Sequence, residues 1–146
     1  MAGSSGAGYS GTPLAKKLGI KPGAALFLIS PPGHYDELLA PLPDGVKRVR
    51  KIDDADVAHF FETARARLEK DLRASVSKMK QDAAIWISWP KKAAKLETDI
   101  TEDTIREVAL PLGLVDIKVC AVDETWSGLK LVIRKQLRKP PGRSRS

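Results

Sequence analysis

Three short stretches hold the side chains best suited to chemistry, and none is a complete catalytic set. Ser88-Trp89-Pro90-Lys91-Lys92 puts a hydroxyl, an indole and two ammonium groups in five residues. A hydroxyl can orient a ligand, an indole offers a stacking surface, and two cations neutralise an anion. Ser30-Pro31-Pro32-Gly33-His34 ends in an imidazole able to exchange a proton near neutral pH. Asp123-Glu124-Thr125-Trp126-Ser127-Gly128 gathers two acids, two hydroxyls and a tryptophan, a composition that suits a turn and equally a partner-binding loop. His34, Ser88, Trp89, Lys91 and Lys92 are therefore the ligand-binding candidates, and Asp123, Glu124 and Trp126 the partner-binding ones.

No acid, base and nucleophile stand together, so a catalytic residue is not assignable. His59 falls in a long helical pattern, no Cys/His/Asp cluster has metal-ligand spacing, and Cys120 sits in an alternating strand pattern as an inert thiol. The expectation is no metal and no cofactor. With a single cysteine no intrachain disulfide can form, which favours a reducing compartment. No apolar run reaches the length of a signal core or a membrane span, so a cytoplasmic protein is expected.

The net charge of +7 looks like a nucleic-acid signature until it is located. Arg134, Lys135, Arg138, Lys139, Arg143 and Arg145 supply six cations with no acid after residue 133, leaving the rest nearly neutral. Residues 136–146, with Pro140, Pro141 and Gly142, read as a disordered basic tail. Such a tail offers weak, salt-sensitive, nonspecific contact with nucleic acid phosphates. Residues 1–9 are Gly/Ser-rich and read as a disordered N-terminus, leaving 10–135 as a single domain.

The elements that must position the candidates follow from pattern. Ala24 to Ser30 and Ala83 to Trp89 are continuous apolar runs, as strands buried on both faces require. Val46 to Ile52 interleaves valine and isoleucine with four cations, which suits a sheet edge. Thr12 and Pro13 open a short helix that ends before Gly19, and His34 to Ala40 makes another. Val57, Phe60, Phe61, Ala64, Leu68, Leu72, Val76 and Met79 recur at helical steps, predicting one long helix from about Ala55 to Lys80, capped by Asp53 or Asp54. Asp99-Ile100-Thr101 leads into a helix with Glu102 and Asp103 in its first turn. Val115 to Val122 and Leu129 to Arg134 alternate as an antiparallel hairpin.

These elements predict an α/β fold, a mostly parallel Rossmann-like sheet of about five strands with a C-terminal antiparallel hairpin. Numbering strands from Ala24, Val46, Ala83, Val115 and Gly128, the expected order is 2-1-3-5-4. The strands around Phe27 and Trp86 then lie side by side, and ligands are expected beyond their carboxyl ends.

The opening Thr12 to Gly23, the stretch Trp86 to Lys92 and the closing Val119 to Lys130 together resemble a family of short bacterial proteins catalogued as a domain of unknown function (DUF3052). The resemblance runs from Tyr9 to about Arg134 and carries no catalytic residues. A more distant similarity is to Rossmann-like methyltransferases, which begin with a comparable helix, turn and apolar strand and end in a comparable hairpin. Where those proteins have a glycine-rich turn after the first strand, this chain has Ser30-Pro31-Pro32-Gly33-His34. Prolines remove the amides such a turn presents to a cofactor. Asp53 or Asp54 stands near the end of the second strand, where an acid could bind a ribose. The residues favour a non-enzymatic binding or regulatory module for an unknown protein or an anionic small molecule, with no membrane partner. The alternatives are a degenerate methyltransferase or nucleotide-binding enzyme, and a tail that binds nucleic acid.

Overall fold

A computed structural model describes residues 12–138; the expected N-terminal disorder and most of the basic tail lie outside the described residues. Six strands form one sheet: β1 (Ala25–Ile29), β2 (Lys47–Arg48), β3 (Val57–Phe61), β4 (Ala84–Pro90), β5 (Leu114–Ala121) and β6 (Trp126–Ile133). Their order is β2-β1-β3-β4-β6-β5. β2, β1, β3 and β4 run parallel, while β6 lies antiparallel between β4 and β5. This is the α/β, mostly parallel, Rossmann-like architecture the sequence predicts, with one strand more.

The extra strand corrects two expectations. Residues 57–61 do not begin the long helix; they form β3, and the helix that follows is α3 (Arg65–Val76). β3 is buried along its whole length, and it separates the Phe27 strand from the Trp86 strand, which are parallel but not adjacent. The apolar positions 57, 60, 61, 64 and 68 fit a helical stripe, yet a five-residue run buried on both faces satisfies a central parallel strand equally well. Asp53 and Asp54 accordingly cap no helix and sit in a short 3-10 turn ahead of β3.

The sheet is covered on both faces. On one, α3 and α4 (Glu102–Ala109) pack Leu68, Leu72, Ile105 and Val108 against Phe60, Ile85, Ile87 and Leu131. On the other, α1 (Leu14–Lys17) and α2 (Tyr35–Leu39) bring Ala15, Tyr35 and Leu39, with Leu18 just past α1, onto Leu26, Phe61 and Trp86. Trp86 is fully buried and its indole N–H donates to the carbonyl of Leu18, 3.0 Å away, which pins the end of α1 to the sheet. A Cβ at Gly128 would stand 3.2 Å from the Trp86 ring, so glycine lets β6 lie this close. α1 starts at Leu14 with Pro13 at its N-cap and no side-chain cap, whereas α4 is capped as its sequence suggests, Thr101 and Thr104 bonding reciprocally.

Candidate functional site at the switch point of the sheet

β1 pairs with β2 on one side and β3 on the other, so the chain leaves β1 in one direction and returns to its opposite flank. The carboxyl ends of β1 and β3 therefore flank a topological switch point, where open α/β sheets gather ligands. Glu62 follows β3 directly, its amide donating to the Ser88 carbonyl at 2.9 Å and its side chain 2% exposed. Burial pushes the Glu62 carboxyl up to about 9, helped by a hydrogen bond to Asp71 on α3 and by that group's charge, against the pull of Arg67. Burial beside a second acid thus favours the protonated form of Glu62 at neutral pH. Among the described residues, Glu62 Oε2 and Asp71 Oδ2 have no donor other than the proton the two carboxyls can share.

Asp71 also lines a groove of 390 Å³ along the α3 side of β1. Phe27, Ile29 and Ile52 make its apolar floor, while Arg50, Lys51, Lys78 and Asp53 stand around it. The groove exists because the chain passes from β2 to β3 with only a 3-10 turn, so no helix covers this flank of β1. Such a space suits a small ligand with one flat apolar part and one anionic part.

The opposite face of the same strand ends holds a buried polar chain. Tyr35 Oη lies 2.8 Å from His59 Nδ1, and His59 Nε2 lies 2.6 Å from Ser88 Oγ. Burial holds His59 down to about 3, so the ring is neutral, with one nitrogen donating and the other accepting. Phe61 stacks on His59 at 4.3 Å, and Trp126 meets Phe61 edge-on at 5.0 Å. Above them, His34 Nε2 stands 3.1 Å from Asp123 Oδ2, while Asp123 Oδ1 accepts from the amides of Thr125 and Trp126. The loop after β1 is thereby tied to the hairpin turn.

The sequence candidates separate on this frame. His34, Asp123 and Trp126 come together at one mouth of the sheet, with Glu124 exposed beside them. Ser88 and Trp89 belong to β4 and not to a loop, because pairing with β6 continues through Pro90 opposite Trp126. Ser88 is buried against His59, and Trp89 points into the core under α4. Lys91 is half-buried and Lys92 exposed, beyond the strand, and neither reaches the groove. Tyr35, Glu62 and Asp71 were not among the candidates, and His59 was assigned to a helix. An acid directly after the apolar run from Val57 to Phe61 is the one signal that marks the site.

The sequence matches no protein-family model and no curated protein. Among solved structures the fold is similar to a SAM-dependent methyltransferase from Aquifex aeolicus, with a TM-score of 0.54 at 13% identity over 82% of this chain and 88% of that one. A precorrin-6y methyltransferase from Geobacter metallireducens is similar with a TM-score of 0.52 at 11% identity, over 82% of this chain and 84% of that one. The B. subtilis tRNA methyltransferase TrmK is similar with a TM-score of 0.51 at 14% identity, over 83% of this chain but 65% of its own length. At these identities the likeness is one of fold. Measured against the S-adenosylmethionine on which the Aquifex aeolicus enzyme depends, the turn after β1 does not fit. Pro31 and Pro32 have no N–H to offer and Ser30 turns with φ 54°, so the backbone lacks the row of amides such a turn supplies. The fold resembles that of these methyltransferases, and the turn after β1 carries two prolines.

Proposed function

We propose that this chain is a degenerate methyltransferase-fold protein that binds a nucleotide-sized anion in the groove beside β1 and transfers no methyl group. The observation carrying the reading is the 390 Å³ groove, with its apolar floor and its rim of Arg50, Lys51, Lys78 and Asp53. The Phe27, Ile29 and Ile52 floor accepts a base, Asp53 accepts hydrogen bonds from ribose hydroxyls, and the three cations neutralise phosphate. The protonated Glu62 beside the Asp71 carboxyl presents a donor and acceptors side by side, which suits a ligand edge carrying both kinds of group. The proline turn supports the loss of methyl transfer, because it removes the amides a methyl-donor cofactor requires. In the same reading the chain is a cytoplasmic member of the DUF3052 family, on the residue matches given above and its single cysteine.

Thermal unfolding with AMP, ADP and S-adenosylmethionine in turn tests this. A nucleotide at one hundred times its dissociation constant stabilises by about 2.7 kcal/mol. We expect AMP or ADP to do so, Lys78→Ala to abolish the gain, and no methylated product to form. A shift with S-adenosylmethionine accompanied by methyl transfer, or no shift with either nucleotide, overturns the proposal.

A further inference from the structure

Lys118 on β5 and Lys130 on β6 are direct cross-strand partners, so their side chains leave the same face of the hairpin. Lys130 is also the partner of Trp86, which places both lysines on the α1 face of the sheet. The turn after α1 closes over them: the Lys130 ammonium stands 3.7 Å from the point a Cβ at Gly19 would occupy, and Lys21 lies two residues on. Lys130 feels Lys118 and Lys21 as its charged neighbours, and desolvation with their repulsion lowers its proton affinity. Among the described residues no carboxylate lies within ion-pair distance of Lys21, Lys118 or Lys130.

Like charges directly opposite each other on paired strands destabilise a sheet. Lysine on an edge strand has a structural use, since it discourages pairing with other chains, and β5 is an edge. That use does not extend to Lys130, because β6 is hydrogen-bonded on both sides. An inner-strand lysine facing two other lysines without a counter-ion is a cost to the fold that a bound anion would remove.

From this cluster we infer that the α1 face of the hairpin is a phosphate-backbone surface for single-stranded nucleic acid. Continuity argues for an extended polyanion: Arg134 follows four residues after Lys130, about 13 Å along the strand, and opens the acid-free run of six cations. The lysines thus begin a basic track that the exposed Arg134, Lys135 and Arg138 continue among the described residues. Recognition is independent of sequence, since ammonium groups meet phosphates and the aromatic side chain beside Lys130, Trp86, is fully buried and cannot stack on bases. The surface lies on the face opposite the groove beside β1 and does not depend on what that groove binds.

The test is fluorescence anisotropy of a labelled uridine 20-mer with the full chain and with the triple variant Lys21→Gln, Lys118→Gln, Lys130→Gln, between 50 and 200 mM salt. Each single-strand phosphate contact contributes about 0.7 to the salt slope, so losing three lowers it by about 2. Over that fourfold salt range the wild-type affinity falls about 18-fold more than the variant's. Lys118→Glu is a second variant that does not risk the fold: pairing with Lys130, it raises the unfolding temperature while weakening the oligonucleotide. Unchanged affinity and slope in the triple variant overturns the inference, as does absence of wild-type binding at 50 mM salt. Loss of binding to phosphatidylserine vesicles with oligonucleotide binding intact overturns it equally, by assigning the lysines to a membrane surface.

Discussion

Replacing Glu62 by glutamine tests the switch-point geometry through the pH dependence of folding. In the folded chain the carboxyl titrates at about 9 against an ordinary 4.5, because it is buried beside Asp71. Folding at neutral pH therefore takes up a proton. Stability is fully present below pH 4.5, falls as pH rises, and levels off only past the folded value. The slope is about 1.4 kcal/mol per pH unit for one proton. His59 acts in the opposite sense: held at about 3 by burial, it costs stability only as pH falls below its ordinary 6.5. The informative window thus starts at 6.5, and up to pH 8.0 the wild-type chain should lose about 2 kcal/mol through Glu62. Glutamine keeps the shape, still donates towards Asp71, and does not titrate. Urea unfolding at several pH values across the window reads the difference. Glu62→Gln should be nearly flat where wild type declines. Equal slopes in the two proteins, or a flat wild type, would refute the placement of this carboxyl in a dry site beside a second acid.

Ser88→Ala leaves one nitrogen of the buried His59 ring without its partner at 2.6 Å, and should cost about 1–3 kcal/mol in urea unfolding; a loss under 0.5 kcal/mol would contradict the buried relay. His34→Ala breaks the His34–Asp123 pair at the mouth of the sheet, where half of the imidazole is in water, so the expected loss is about 0–1 kcal/mol. A loss above about 2 kcal/mol would contradict a solvent-exposed contact of this kind.

The strands at Phe27 and Trp86, the capped helix after Thr101 and the hairpin were legible in the sequence because each shows one period and clear ends. β3 was not, because Val57, Phe60 and Phe61 lie in phase with Leu68 and Leu72 and the helical stripe reads straight through the loop between them. α3 also begins without a side-chain cap, so no boundary signal opposed that reading. The site was lost with the strand. Once residues 57–61 are helical, His59 and Glu62 become unremarkable surface positions, whereas in a strand they fall on opposite faces at the switch point. Ser88 was chosen for its hydroxyl, and its partner, twenty-nine residues earlier in the chain, is fixed by the β3–β4 register alone. Asp71 carries no local mark at all, since a polar residue on an amphipathic helix is ordinary until the residue facing it is known.

The groove beside β1, and not the turn after it, is where a ligand is expected to bind. Titrating AMP into isotope-labelled protein and following backbone amide resonances locates binding residue by residue. The expected shifts fall at Ile29, Ile52, Asp53, Asp71 and Ser75, which line the groove, with Gly33 and the Asp123 turn unmoved. Shifts centred on Gly33 and His34, or on α1, with the groove amides still, would contradict it.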